Sequence, residues 1–185
     1  MEYRLTTPVT RAELAPLRAG DTVLLSGIVY TARDAAHQRM MELLDRGEDL
    51  PFPVEGSALY YVGPTPERPG EIIGSAGPTT SGRMDAYSPR LLDLGQAIMI
   101  GKGARNQAVK EAVVRNGAVY LAALGGAGAL MAASVRSLEV ICWEDLGCEA
   151  VRRLEVHDLP LTVVLDAHGG DLYESGPRRY LESLR

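Results

Sequence analysis

The chain has 185 residues, of which 46% are hydrophobic and 23% are charged, and its net charge is −5. This length suits one compact domain spanning residues 1–185, and the ordinary composition excludes the disordered and fibrous classes. The acidic balance argues against nucleic acid as a partner. Because the sequence shows neither a signal-peptide pattern nor an unbroken apolar span, we expect a cytoplasmic protein that does not enter a membrane.

The first half of the chain contains a helix start and several apolar runs. Thr10 and Glu13 have the spacing of a capping box, in which each side chain bonds to the backbone N–H of the other residue. Runs rich in Val, Leu and Ile predict strands, and apolar residues at helical spacing predict helices. In chain order we predict a helix from Arg11 to about Gly20, a strand over Thr22–Tyr30, a helix over Thr31–Arg46, and strands over Ala58–Val62 and Ile72–Ser75.

The second half alternates between helices and strands. We predict helices over Pro89–Leu94, Arg105–Arg115, Gly125–Ser134 and Pro177–Leu184. We predict strands over Ala97–Gly101, Ala118–Leu124, Leu138–Trp143 and Leu161–Asp166. This alternation is typical of an α/β fold.

Three consecutive hydroxyl side chains lie between glycines in the segment Gly77-Pro-Thr-Thr-Ser-Gly-Arg83. Glycines let a backbone approach a ligand closely, and hydroxyls can bond to ligand oxygens or take part in proton transfer. The arginine fork fits a carboxylate with two parallel hydrogen bonds. The segment therefore suits a small, oxygen-rich anion. A capped turn before a helix, with Arg83 as a surface charge, is an equally good interpretation of these residues alone.

Two further segments place charged or titratable side chains at predicted strand ends. Lys102 stands between two glycines after a strand, where α/β proteins bind ligands and where a lysine can stabilise an oxyanion; a solvated lysine is the alternative. Arg33 projects from another strand end. Asp34 can cap the following helix or favour its positive end. His37 fits a partly buried histidine with a local hydrogen bond better than a catalytic residue.

The remaining features fit structural roles at least as well as chemical ones. The turn Gly125–Gly128 could hold an anion at a helix N-terminus or allow close packing of that helix. The segment Asp166–Asp171 could be an acid–base cluster or a simple turn. Cys142 and Cys148 are too few for an iron–sulfur cluster and have no common zinc spacing, so we predict no metal site in this chain.

Three motifs occur along the chain: Tyr30-Thr-Ala-Arg-Asp-Ala-Ala-His37, Ile73-Gly-Ser-Ala-Gly-Pro-Thr-Thr-Ser-Gly-Arg-Met-Asp85 and Met99-Ile-Gly-Lys-Gly103. Together they resemble the β subunit of the class I, iron–sulfur-dependent fumarate hydratases and their L(+)-tartrate dehydratase relatives. The resemblance extends through Tyr60–Pro66, Trp143–Gly147 and Val164–His168. It therefore covers nearly the whole chain in the right order.

The resemblance implies a swivelling β/β/α domain, in which a mixed sheet is flanked by helices. The family reaction is the reversible hydration of fumarate to L-malate, so the implied substrate is a dicarboxylate. The resemblance also implies that a separate α subunit carries a 4Fe-4S cluster, which this chain does not bind alone. Because the chain begins at Met1 and has only two cysteines, we expect the two-chain form, assembled as α2β2.

Matching the motifs residue by residue implies roles for individual side chains. The implied substrate-binding residues are Arg33, Thr79, Thr80, Ser81, Arg83 and Lys102. The arginines and Lys102 would bind the two carboxylates, and Lys102 would also stabilise charge that develops during the reaction. Thr79 would lie beside the reacting carbon as a candidate for proton transfer, and Thr80 and Ser81 would shape the pocket. Thr79 and Lys102 are thus the predicted catalytic residues.

Two alternatives remain open. Tartrate differs from malate by one hydroxyl, which a residue on either chain could recognise, so the chain could belong to a dehydratase of tartrate or of another hydroxy-dicarboxylate. The same pocket could also serve a non-catalytic module that binds small anions.

Overall fold

The computed structural model describes residues 1–124 and 126–184. The strands are β1 (Glu2–Thr7), β2 (Thr22–Thr31), β3 (Ala58–Tyr60), β4 (Ile98–Gly101), β5 (Val119–Ala122), β6 (Val135–Cys142) and β7 (Val151–Leu165). The α-helices are α1 (Arg11–Leu14), α2 (Asp34–Asp45), α3 (Ser88–Asp93), α4 (Gln107–Asn116), α5 (Gly128–Ala133) and α6 (Leu172–Ser183). Short 3-10 helices cover Ser81–Met84 and Glu144–Glu149.

The strands form one mixed sheet in the order β1-β2-β3-β4-β5-β7-β6. Strands β1 to β5 are parallel to their neighbours, whereas β7 is antiparallel to β2, β5 and β6. Because β7 pairs with both β2 and β5, strands β2, β3, β4, β5 and β7 form a closed circuit, like a small barrel. The carboxyl ends of the parallel strands β2 to β5 therefore lie at one edge.

Alternating strand residues belong to two apolar layers. On one face of the strands, Tyr60 and Ile100 pack with residues of β1, β2, β5 and β7. On the other face, Leu59 and Met99 pack with α2, α3 and α4. This division follows from the period-two geometry of a strand, which points successive side chains to opposite faces.

The structure confirms the predicted α/β class, the mixed sheet and the flanking helices. It also confirms the capping box: the Thr10 side chain accepts from the Glu13 N–H, and the Glu13 carboxylate accepts from the Thr10 N–H at 2.8 Å. Most other helix and strand bounds differ from the predicted ones by no more than three residues.

Strand β1 and most of β7 were not predicted, because charged side chains obscure their alternation. In β1, Leu5 and Thr7 are buried and alternate with exposed residues. In β7, Leu154 and Val156 are buried and alternate with charged residues at the surface. Only Leu161–Asp166 was assigned to this strand, since its apolar residues are consecutive. In both strands only one face is buried, so buried and exposed side chains alternate along the strand.

The predicted strand over residues 72–75 is wrong. The Thr65 N–H donates to the Ser75 carbonyl at 3.0 Å, and the Ser75 N–H donates to the Thr65 hydroxyl at 2.7 Å. The Ala76 N–H donates to the Gly128 carbonyl at 3.0 Å. These backbone groups are satisfied by other loops, so the segment has no strand partner.

Two helices also differ from their predicted extents. Helix α1 ends at Leu14 rather than near Gly20, because Pro16 has no N–H to continue the hydrogen-bond ladder. Helix α5 begins at Gly128, and the predicted start at Gly125 lies outside the described residues.

Helix α6 begins at Leu172, five residues before the predicted start at Pro177. The Asp171 carboxylate caps this helix by accepting the Tyr173 N–H at 2.8 Å, a side-chain cap that the sequence analysis missed. No helix in the described ranges combines the length and the apolar character needed to cross a membrane.

We expect Leu25→Ala to reduce the free energy of unfolding by about 3 kcal/mol, because it removes a fully buried side chain from β2 and leaves a cavity. The control is Leu181→Ala, which truncates a side chain that is 62% exposed and should change stability by less than about 0.5 kcal/mol. Urea denaturation of both variants measures the difference. Equal stability of the two variants would contradict the core assignment.

Candidate active site

The predicted site segments meet at the edge where the parallel strands end. Arg33 follows β2, Tyr61–Gly63 follows β3, and Lys102 follows β4. The segment Thr79–Arg83 belongs to the long connection between β3 and α3 and lies against these strand ends. Residues that are distant in the sequence are thus brought together at the edge where α/β proteins bind ligands.

Backbone contacts hold the hydroxyl-rich segment against two strand ends. The Thr79 N–H donates to the Tyr61 carbonyl at 2.8 Å, and the Ser81 N–H donates to the Lys102 carbonyl at 2.9 Å. Thr80 and Lys102 form a parallel β-bridge. Thr79 is half-buried, whereas Thr80 and Lys102 are exposed, so their side chains remain available to a ligand.

Ser81, by contrast, is completely buried. Its Oγ atom accepts the Lys102 N–H at 3.0 Å and lies 2.9 Å from the Tyr120 hydroxyl. The Tyr120 hydroxyl also donates to the Gly103 carbonyl at 2.9 Å. A side chain at Gly101 would overlap the Ser81 hydroxyl, so this docking requires glycine there. Any effect of Ser81 on the pocket therefore acts through the backbone that it holds.

Arg33 immediately precedes α2 and contacts the 3-10 helix before β7. Its Nη2 atom lies 3.3 Å from Oε1 of Glu149, and its Nη1 atom lies 3.9 Å from Sγ of Cys148. The buried Nε atom has no hydrogen-bond partner in the described part of the chain. Because a guanidinium carries five N–H donors, Arg33 keeps donors for a ligand oxygen.

Arg83 is more exposed, and its Nη1 atom lies 3.7 Å from Oδ2 of Asp34. Since Asp34 directly follows Arg33, this contact brings the two predicted arginines to the same place. Partly exposed ion pairs contribute little to stability. Asp34 therefore holds Arg83 only weakly, and the Arg83 guanidinium remains available to an anion.

His37 is a buried structural residue next to Arg33. Its Nδ1 atom lies 2.8 Å from the Arg33 carbonyl, which can only accept, so Nδ1 carries the proton in the neutral ring. The ring stacks on Tyr87 and meets Tyr61 edge-on. Burial lowers the pKa of His37 to about 4. The predicted local hydrogen bond is confirmed, and burial is complete rather than partial.

Two other candidate clusters have structural roles. The Asp166 carboxylate accepts the backbone N–H groups of Ala19, His168 and Gly170 at 2.8 to 2.9 Å, as expected for a turn. A side chain at Gly128 would overlap the hydroxyl of Ser75, which favours the close-packing interpretation of that glycine turn.

The two cysteines lie in different surroundings. Cys148 is exposed, and burial raises the pKa of the half-buried Cys142 thiol to about 11, which keeps it protonated. Within residues 1–124 and 126–184, no three His, Cys, Asp or Glu side chains converge in a geometry that could hold a metal ion.

A cavity of about 580 Å³ lies away from these residues, at the edge where β4 and β5 begin. Its walls include Pro8, Glu55, Gln96 and Gly117 and none of the predicted site residues. The converging cations and hydroxyls define the candidate site rather than an enclosed volume, because a site that a second chain completes need not form a cavity in one chain.

Sequence reasoning missed three residues that hold the site. Tyr61 and Tyr120 lie in apolar runs, where a core role is the default interpretation. Glu149 contacts Arg33 but is distant from it in the sequence, so no local spacing connects them.

These observations define a class of protein: an α/β domain with cationic and hydroxyl side chains around a candidate anion site at the carboxyl edge of parallel strands. The Fumarase C-terminus family matches residues 1–176. The chain therefore belongs to that family, which confirms the resemblance inferred from the motifs.

Individual relatives fall into two groups. The putative L(+)-tartrate dehydratase subunit beta of Methanocaldococcus jannaschii is 37% identical over the whole chain, which covers 97% of that relative. The aerobic class I fumarate hydratase of Escherichia coli (strain K12) and fumarate hydratase 2 of Leishmania major are each 38% identical over 88% of the chain. The chain spans only about 30% of the length of these two enzymes.

We expect Gly101→Ala to displace the hydroxyl-rich loop, because the added methyl group would occupy the position of the Ser81 hydroxyl. The control is Gly82→Ala in the same loop, where the nearest atom to the added carbon is 3.8 Å away. Crystal structures of both variants provide the measurement. An unmoved Ser81 in Gly101→Ala would contradict this account of the loop.

We also expect a stability change in acid from His37. Because its folded pKa of about 4 lies below the ordinary 6.5, the unfolded chain binds the proton more tightly. The free energy of unfolding is therefore not reduced by His37 protonation above pH 6.5. It decreases by roughly 3 kcal/mol in total as the pH falls from 6.5 to 4. Denaturation at several pH values should show that His37→Gln loses less of its free energy of unfolding between pH 6.5 and pH 4 than the wild type does. Equal losses would contradict a buried neutral histidine.

Proposed function

We propose that this chain is the β subunit of a two-subunit class I fumarate hydratase. The observation that carries this proposal is the convergence of Arg33, Arg83, Lys102 and Thr79 at one edge of the sheet. Three cations suit a substrate with two carboxylates. The exposure of Arg83 and Lys102 suits a site that a second chain completes.

The roles of these residues follow from the charges in the reaction. Removing a proton from the carbon next to a carboxylate increases negative charge on that carboxylate. Cations already held in place stabilise this charge without reorganising during the reaction. Arg33 and Arg83 can each hold a carboxylate through two N–H donors, while Lys102 contributes a point charge.

Thr79 is the proposed proton-transfer residue of this chain. Its backbone N–H is fixed to the Tyr61 carbonyl, which limits the positions that its hydroxyl can take. A threonine hydroxyl is a weak base unless a neighbouring group activates it. We therefore assign the activating group, and the remaining acid–base groups, to the partner subunit.

The 4Fe-4S cluster of the proposed enzyme belongs to the partner subunit. This chain has two cysteines, one of them half-buried and protonated, and a cluster needs three or four thiolates. The donor set of this chain therefore does not fit the cluster. The bound cluster would supply a Lewis acid for the departing hydroxide. The proposed assembly is a cytoplasmic α2β2 complex.

A second candidate is the β subunit of an L(+)-tartrate dehydratase. The relative whose length this chain nearly matches carries that name, as a putative assignment. The cations proposed here bind the carboxylates that malate and tartrate share. The substrate preference would therefore depend on whether the complete site binds or excludes the additional hydroxyl of tartrate.

Anaerobic co-purification with the cluster-bearing α subunit tests the proposed function. Turnover of fumarate, tartrate and mesaconate is then measured. We expect hydration of fumarate that requires both chains. Preference for tartrate would support the second candidate, and a complex with an intact cluster that turns over none of these diacids would favour a non-catalytic anion-binding module.

In that complex, we expect Arg83→Lys to reduce kcat/KM by about 10- to 100-fold, because lysine keeps the charge and loses the two-point contact with a carboxylate. The control is Arg90→Lys on α3, where the arginine pairs with Asp45 at the surface. Steady-state kinetics should show little change for this control. Equal effects of the two substitutions would argue against Arg83 as a substrate ligand.

A further inference from the structure

One buried cation is not explained by the proposed substrate contacts. The Arg105 side chain is completely inaccessible to solvent, although it follows Lys102 by only three residues. Its Nε donates to Oδ1 of Asp85 at 2.5 Å, and its Nη2 donates to Oγ of Ser88 at 2.7 Å. Burying a charge requires such compensation, since water no longer solvates the ion.

Two aromatic rings flank this guanidinium. Its central carbon lies 5.4 Å from the ring centre of Tyr61 and 5.1 Å from that of Tyr120. Both distances suit cation–π attraction, which is stronger for a desolvated cation. A lysine could not fill this space with a flat group that also bonds in two directions.

The same two tyrosines contact the backbone of the candidate site. The Tyr61 carbonyl accepts the Thr79 N–H, and the Tyr120 hydroxyl bonds to the Gly103 carbonyl and lies against the Ser81 hydroxyl. Arg105 is therefore separated from the threonine-rich loop and from the loop that carries Lys102 by only one residue, Tyr61 or Tyr120.

Asp85 connects Arg105 to the same two loops. It is two residues after Arg83, and its Oδ2 atom accepts the Asn106 N–H at 2.7 Å. The carboxylate thus bonds to both the side chain of Arg105 and the backbone that follows it. The ion pair fixes the end of one site loop to the end of the other.

From this network we infer that Arg105 is a positioning residue, which sets the relative placement of Thr79 and Lys102 through Tyr61, Tyr120 and Asp85. Arg105 does not contact the substrate in this role. The inference rests on the proposed function for its kinetic consequence, whereas its structural consequence can be measured without any substrate.

Amide hydrogen exchange of the full chain tests the structural consequence. In Arg105→Lys, the N–H groups of Thr79, Ser81 and Lys102 should exchange at least about tenfold faster relative to those of β4 and β5. The control is Leu25→Ala, which lowers global stability and leaves this network intact. If the exchange rates of the site amides and the strand amides rise by the same factor in Arg105→Lys, as they would in Leu25→Ala, Arg105 contributes only to global stability.

Kinetics of the complex with the partner test the functional consequence. We expect kcat to fall about 10- to 100-fold in Arg105→Lys, because small displacements of catalytic groups are costly. KM should change less, since long arginine side chains can readjust to the substrate. Asp85→Asn should have the same effect, which keeps the test decisive if one variant does not fold.

A double-mutant cycle with Thr79→Ala separates positioning from general damage. If Arg105 acts partly by placing Thr79, adding Arg105→Lys to Thr79→Ala should lower kcat by a smaller factor than Arg105→Lys does in the wild type, because only the contribution through Lys102 remains. If the double variant instead lost kcat by the full product of the two separate factors, the inference would be overturned. An inactive wild-type complex would contradict the proposed function instead, and the exchange measurement would still decide the role of Arg105.

Discussion

The packing of Ser81 against Gly101 determines where the candidate site lies. The serine hydroxyl occupies the space that a side chain at Gly101 would need, and it accepts the N–H of the next residue, Lys102. The threonines before Ser81 are then drawn over the ends of β3 and β4. Because Ser81 is buried and its hydrogen bonds are satisfied, it fixes the loop in place but cannot contact a ligand itself. Thr79 and Lys102 stay accessible as a result.

The site is organised around cations with weak internal partners. Arg33 and Arg83 lie beside Glu149 and Asp34 in partly exposed pairs, whereas Arg105, whose side chain is completely buried, is paired with Asp85. Exposed pairs can exchange partners cheaply, and breaking a buried pair is costly. The same residue type thus serves two purposes in the proposed site: the outer arginines bind the dicarboxylate, and the inner one connects the loop of Arg83 to the loop of Lys102.

Much of this arrangement could be predicted from the sequence, because it depends on local motifs. The capping box follows from spacing and the central strands from apolar runs, whereas the roles of Thr79, Arg83 and Lys102 were implied by the family resemblance of the motifs that contain them. Strand β7 was largely missed because two pairs of adjacent polar residues, Arg152-Arg153 and His157-Asp158, interrupt its alternation of buried and charged side chains. The partners Glu149, Tyr61 and Tyr120 could not be found, since they contact the site residues only when the folded chain brings distant segments together. Long-range contacts of this kind leave no periodic signal in a single sequence.

The central claim is that this chain supplies half of a dicarboxylate site. A crystal structure of the complex with its cluster-bearing partner, containing a bound non-reactive dicarboxylate, tests it most directly. The account predicts that Arg33, Arg83 and Lys102 lie within hydrogen-bond distance of the ligand's carboxylates, with Thr79 beside its central carbons. A dicarboxylate bound in the complex without contact to these residues would contradict the account.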